Sequence, residues 1–348
     1  MIRVGILGAT GAVGQTFVRL LDGHPTFEVV ALGASERSAG KPYREACNWT
    51  QDQPMPDWAS GEIVTACAPE AMDVDLVFSG LDAGVAGEIE KAFAGAGVAV
   101  VSNARNHRMD ADVPLLIPEI NPDHLALVER QTWPEGGMIV TNPNCSTVGL
   151  VMALAPLHEA FGVEAVHVVT LQALSGAGYP GVPSLDILGN VVPYIGGEEA
   201  KMASEPLKIL GGLSASGVEP AEMTISAQCT RVPVIDGHTE CVSVRLAGAP
   251  SAAEVEQVLR EWRSPLAGRG LHTAPEAAIQ IVDGTGPQPR RHASAGNGMT
   301  VSIGQIQDCP VLGVKFVVLS HNTVRGAAGG ALLNAELMVE RGLVRQRP

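Results

Sequence analysis

The strongest constraint in this chain lies in its first fourteen residues, MIRVGILGATGAVG. A short apolar run, Val4-Gly5-Ile6-Leu7, stops at Gly8, and further glycines follow at Gly11 and Gly14. Apolar side chains then recur at helical spacing at Val13, Phe17, Leu20 and Leu21. A strand that enters a helix through glycines can turn tightly and bring its backbone against a pyrophosphate, whose charge meets the helix N-terminus. The spacing is GxxGxxG rather than GxGxxG, so the weight rests on the strand before it and the helix after it. A tight turn with no ligand is the competing interpretation.

The same alternation continues. Apolar runs at 27–32, 76–78 and 98–101, with a helical pattern at 85–94, predict βαβ units and a parallel sheet. Beyond residue 145 the character changes. A helix is expected at 146–161, strand-like runs at 165–171, 223–233, 240–246, 299–306 and 314–319, and helical patterns at 253–262 and 323–339. These suit a mixed or antiparallel sheet flanked by helices. The fold class expected is therefore α/β, with an N-terminal Rossmann-like dinucleotide-binding domain and a second α+β domain built on a mixed sheet. At 348 residues, two domains also agree with a prior of roughly 150 residues each. The Pro/Gly-rich stretches 51–61 and 284–298 read as exposed loops.

The formal charge is −14, with no Lys/Arg block. Nucleic acid is a poor partner for such a surface, because phosphate neutralisation supplies most of that affinity. An anionic ligand would need a few basic residues acting locally against the overall field. The six cysteines are far apart and form no CxxC, which favours free thiols and a reducing compartment. The N-terminal apolar run is broken too early for a signal peptide, and no stretch reaches about 18 apolar residues. The expectation is a soluble, cytoplasmic protein without a membrane partner.

Three local patterns carry chemistry. After 29–32 the chain reads Gly33-Ala34-Ser35-Glu36-Arg37-Ser38. Hydroxyls and an arginine at the end of strand two suit the 2′-phosphate of NADP, whereas Glu36 is the kind of residue that takes the ribose diol of NAD. Asn142-Pro143-Asn144-Cys145-Ser146-Thr147 precedes a helix, which Ser146 or Thr147 can cap. A thiol at the positive end of a helix has its thiolate favoured, and free amides there can hold an oxyanion. Cys47, Cys67, Cys229, Cys241 and Cys309 read as small buried hydrophobes. Finally, Asp236-Gly237 signals a turn that places Arg231 and His238 on the flanks of one connection, although spacing alone favours a structural histidine.

Together these segments resemble the aspartate-β-semialdehyde dehydrogenase family, most of all its archaeal and fungal type. The resemblance is carried nearly end to end by GATGAVG (8–14), ASERSAG (34–40), SNARNHRM (102–109), NPNCST (142–147), LQALSGAGYPG (171–181), GEEAKM (197–202), RVPVIDGH (231–238) and SHNTVRGAAGGA (320–331). It implies a dinucleotide-binding domain formed by 1–144 plus 322–348, a catalytic and dimerisation domain at 145–321, and a homodimer or homotetramer. It also implies NADPH-dependent reduction of β-aspartyl phosphate to aspartate semialdehyde and phosphate, on the route to lysine, threonine, methionine and, in bacteria, diaminopimelate.

Position by position, the resemblance implies that Cys145 is the nucleophile that becomes a thioester and His238 the general acid/base. Arg231 would bind the substrate carboxylate, Glu198 its amino group and Gln172 would orient it, with the adjacent Glu199 competing for the role of Glu198. Arg108 and Lys201 fall on phosphate contacts. Gly8, Thr10, Gly11, Ala12, Val13, Ser35, Arg37, Ser38, Ser79 and Asn322 fall on cofactor contacts, and no metal is implied. The neighbouring activities are malonyl-CoA or succinyl-CoA reductase and N-acetylglutamyl-phosphate reductase, which share the thioester route. A silent NADP-binding regulator on the same fold is the non-enzymatic alternative.

Overall fold

A computed structural model describes residues 1–346 of the chain. Two six-stranded sheets organise it. The first comprises β1 (Ile2–Leu7), β2 (Phe27–Ala34), β3 (Thr65–Ala66), β4 (Leu76–Ser79), β5 (Ala99–Ser102) and β6 (Met138–Thr141). All its pairings are parallel and the spatial order is 3-2-1-4-5-6. That is the doubly wound order in which the crevice between β1 and β4 marks the point where the winding reverses. β4, β5 and β6 are buried throughout, which explains why 76–78 and 98–101 read as unbroken apolar runs rather than alternating ones; no strand is expected at β6 from the sequence pattern.

The second sheet comprises β7 (Val163–Gln172), β10 (Thr224–Arg231), β11 (His238–Leu246), β12 (Ile279–Val282), β13 (Val301–Cys309) and β14 (Gly313–Ser320), in the order 10-7-11-14-13-12. β10 runs parallel to β7 and β12 parallel to β13, while the remaining pairs are antiparallel. A small hairpin, β8 (Gly212–Ser214) with β9 (Gly217–Glu219), stands apart from both sheets. β11 alternates strictly: His238, Glu240, Val242, Val244 and Leu246 are buried, while the residues between them are not. The inward face packs against the helix Cys145–Phe161, which is apolar almost all round and lies in the core with Leu150, Val151, Leu154 and Leu157 fully buried.

The C-terminal segment returns to the first sheet. The helix Gly329–Glu340 places Ala331, Leu332, Leu333 and Leu337 in one core with Val4, Ile6 and Phe17. It does not begin at 323 as one continuous helix. Val324–Ala328 forms a π-turn, pinned by the buried pair Arg325–Glu119, whose guanidinium donates twice to the carboxylate at 2.5 and 2.9 Å. The loop stretches 51–61 and 284–298 contain the short helices Asp57–Ser60 and Pro289–His292. Among the described residues no helix is long and apolar enough to cross a membrane.

All six cysteines are free. Cys47 and Cys229 are buried as expected, but Cys67 and Cys309 are half-buried and Cys241 is exposed. The exception follows from the pleat, because Cys241 sits on the outward phase of β11.

Candidate active site

The helix Cys145–Phe161 starts where it does because Asn144 caps it: the Asn144 Oδ1 accepts from the amides of Ser146 at 3.1 Å and Thr147 at 3.4 Å. The cap is thus Asn144 and not Ser146 or Thr147, whose side chains lie inside the first turn. One consequence corrects the oxyanion expectation. The Ser146 and Thr147 amides are already bonded, and the Asn144 amide is bonded to Glu205, so the amide left without a bond at this terminus is that of Cys145.

Cys145 Sγ lies 3.2 Å from His238 Nε2. The imidazole is buried at the start of β11, and its Nδ1 accepts the Ala173 amide at 3.0 Å. A ring that accepts at Nδ1 carries its proton at Nε2 when neutral, so it presents N–H to the sulfur. Burial, with Arg231 beside it, lowers the His238 pKa to about 3, so the resting ring is neutral.

The thiol is also neutral at rest. Burial, reinforced by the nearby Glu198, pushes Cys145 up to about 12, against the downward pull of Arg108, Arg231 and Lys201. This reverses the expectation of a standing thiolate. A helix terminus contributes roughly half an elementary charge, and here that is outweighed by removal from water. A nucleophilic role for this thiol would require it to lose its proton during the reaction instead of beforehand.

Arg231 and His238 meet, but not as flanks of a hairpin. β10 and β11 are separated by β7, and the connection between them passes over the end of that strand, where Arg231 pairs with Gln172 and Thr239 with Leu171. Arg231 Nη1 donates to the carbonyl of Ala173 at 2.7 Å. Gly176 shows how tightly the groups converge: a Cβ there would lie 2.9 Å from Arg231 Nη1 and 3.0 Å from His238 Cε1.

Glu198 opens the helix Glu198–Ile209 and is buried. Its Oε2 accepts from Asn144 Nδ2 at 2.9 Å and Gln172 Nε2 at 3.3 Å, and its Oε1 pairs with Lys201 Nζ. Burial works to raise its pKa, but Lys201, Asn144 and Gln172 together bring it below the usual carboxylate range, so it is ionised at neutral pH. Glu199 turns the other way and accepts the Cys229 amide at 3.3 Å. The acid in the cleft is therefore Glu198. Gln172 also bonds Ser146 Oγ, which ties β7 to the first turn of the helix Cys145–Phe161. Arg108 is buried and joined to the cleft through Glu205 and the carbonyl of Asn103.

The glycine loop is built differently. A Cβ on Gly14 would sit 2.2 Å from the Gly8 carbonyl oxygen, so only hydrogen fits where the helix Ala12–Leu20 packs on the loop. Gly11 is the N-cap and offers no side chain, leaving the helix's first amides without a side-chain acceptor, as an anion-binding terminus requires. Thr10, Ala12 and Val13 are half-buried around it, and Ser35 and Arg37 are exposed just past β2, with Ser38 half-buried. These residues fit a phosphorylated dinucleotide. A cavity of about 680 Å³ runs from Ala12 to Ser175, Tyr179 and His321.

Two of the cofactor candidates face inward. Ser79 is fully buried and its Oγ donates to Glu90 at 2.6 Å, so only its backbone, at the end of β4, is near the crevice. Asn322 accepts the Gly237 amide at 2.9 Å and donates to Ser175 Oγ at 2.7 Å, which steadies the loops beside His238. Sequence reasoning missed Asn144, Ala173 and Glu205. Only Asn144 left a signal, as a capping residue directly before the cysteine.

Two family profiles match: "Semialdehyde dehydrogenase, NAD binding domain" over residues 3–128 and "Semialdehyde dehydrogenase, dimerisation domain" over residues 154–325. An aspartate-semialdehyde dehydrogenase of Candida albicans is 50% identical over 98% of this chain and 99% of its own. One from Archaeoglobus fulgidus is 48% identical over 98% and 99%. The crystal structure of the Candida albicans enzyme with NADP superposes with a TM-score of 0.91 at 48% identity, covering 98% of this chain and 99% of that one. The chain belongs to the aspartate-semialdehyde dehydrogenase family.

Proposed function

We propose that this chain catalyses the reversible, NADPH-dependent reduction of β-aspartyl phosphate to aspartate semialdehyde and inorganic phosphate, a step of amino-acid biosynthesis, through an acyl thioester on Cys145. The observation that carries the reading is the contact of Cys145 Sγ with His238 Nε2 in a cleft that also holds Arg231, Glu198 and Gln172. Arg231 suits a planar carboxylate and Glu198 an ammonium group. An ionised acid in the cleft favours a substrate with a free amino group over a CoA-linked or N-acetylated one.

Cys145 attacks the acyl carbon as its proton is lost, the Cys145 amide donates to the oxyanion, and the carbon–phosphate oxygen bond breaks. Because His238 Nδ1 is engaged by Ala173, the ring stands as a donor at Nε2. The thiol proton therefore leaves with the phosphate group, giving hydrogen phosphate and a neutral thioester. The glycine loop with Ser35, Arg37 and Ser38 would hold NADPH, which when bound would supply the hydride that reduces the thioester. When the sulfur is released from the thiohemiacetal, the Nε2–H of His238 faces the departing thiolate and a proton from solvent restores the thiol.

The reading extends to organisation: residues 1–144 with 322–348 as the cofactor domain, 145–321 as the catalytic and dimerisation domain, and a homodimer or homotetramer in the cytoplasm. Six free thiols support a reducing compartment. The test is a paired assay of the purified protein. Phosphate-dependent oxidation of aspartate semialdehyde with NADP is expected, and CoA-dependent oxidation of malonate semialdehyde in its place would refute the substrate assignment.

A further inference from the structure

Along the helix Glu198–Ile209 the charged side chains Glu198, Lys201, Glu205 and Lys208 recur at helical spacing. Glu205 takes no part in the chemistry above, yet it is 2% exposed and engaged at both oxygens. Oε1 accepts from Arg108 Nη1 at 2.8 Å, and Oε2 accepts from the amide of Asn144 at 2.7 Å. One carboxylate thus joins the arginine expected at the phosphate to the residue directly before the nucleophile. The Arg108 loop has a separate anchor. Lys208 Nζ donates to the carbonyls of Arg108, Asp110 and Val113 at 2.8, 2.7 and 2.8 Å.

Charge decides what this contact does. Arg108 is 6% exposed, its Nη2 is committed to the Asn103 carbonyl at 2.7 Å, and its Nε has no partner. A buried carboxylate so close to a buried guanidinium cancels much of the field the cation would present to a ligand. Inorganic phosphate is dianionic, and an uncompensated buried arginine would hold it after acyl transfer.

We propose that Glu205 is a positioning residue whose negative charge limits the hold of Arg108 on phosphate, so that phosphate departs once the thioester forms. The proposal rests on Arg108 being a phosphate contact. Glu205→Gln keeps the shape and removes the charge. In the phosphorylating direction its KM for inorganic phosphate falls, on the order of three- to tenfold for one charge-assisted contact. Inorganic phosphate raises its Tm more than that of the unsubstituted protein. Glu205→Asp, which keeps the charge, produces none of these gains.

A merely structural role predicts the opposite: phosphate KM unchanged or raised and equal phosphate-induced Tm shifts, either of which overturns the proposal. A Glu205→Gln protein that folds only with phosphate present supports it in stronger form, and one that phosphate fails to rescue overturns it. Arg108→Leu separates the two premises. If phosphate KM ignores that change, the assignment of Arg108 fails and takes the proposal with it.

Discussion

The glycine loop after β1 and the cleft at the end of β7 hold ligands by opposite means. Residues 8–14 form the loop from one stretch of chain, and its backbone does the work: a missing Cβ at Gly14, an uncapped helix start at Gly11, an exposed arginine nearby. The cleft collects Asn144 and Cys145 from a helix start, Gln172 and Ala173 from the end of β7, Glu198 from another helix, and Arg231 and His238 from the facing ends of β10 and β11. Its side chains hold one another through buried bonds between distant segments. A local site depends on sterics, whereas an assembled one depends on charge balance, and the two should fail differently.

The largest expected effect is from Cys145→Ser. It should lower turnover by about 10⁴-fold or more, on the scale of other removed nucleophiles, while NADPH affinity measured by fluorescence titration stays the same. If NADPH binding falls as well, the two sites are not separable. Gly14→Ala should do the reverse. Its Cβ would collide with the Gly8 carbonyl and the backbone of Ala9, costing about 1–3 kcal/mol of stability and weakening NADPH binding. In that variant, iodoacetamide should still modify Cys145 at the usual rate.

Charge balance is sharpened by Glu198→Gln. Glu198 helps to hold the Cys145 pKa up, so its neutralisation should lower that pKa and speed alkylation at pH 8 by roughly threefold to tenfold. An unchanged rate would show that burial alone sets the thiol. The smallest effect is expected from Arg37→Ala at the exposed rim, about twofold to fivefold in KM for NADPH with NADH unaffected. Equal losses for both cofactors would return Glu36 to consideration as the discriminating residue.

The same contrast explains what could be read from the chain. The parallel sheet was legible because its strands are short apolar runs punctuated by glycines, and the cofactor loop because its signal is contiguous. In the cleft, Cys145 and His238 stood out by residue type. The helix Glu198–Ile209 did not, since it contains Pro206, follows Gly196-Gly197, and buries a face bearing Glu198, Glu205 and Lys208. An apolar-periodicity search treats such a face as solvent-exposed. The protonation of Cys145 was misjudged for a related reason: the helix start is visible in sequence, but the burial that outweighs it comes from segments far along the chain.

The central claim is that the sulfur of Cys145 takes the acyl group from the phosphorylated substrate. Intact-protein mass spectrometry after mixing with β-aspartyl phosphate, without NADPH, tests it directly. The account predicts a mass gain of one aspartyl group, located on the peptide containing Cys145 and absent from Cys145→Ser. Release of phosphate with no adduct, or an adduct on another cysteine, would contradict it.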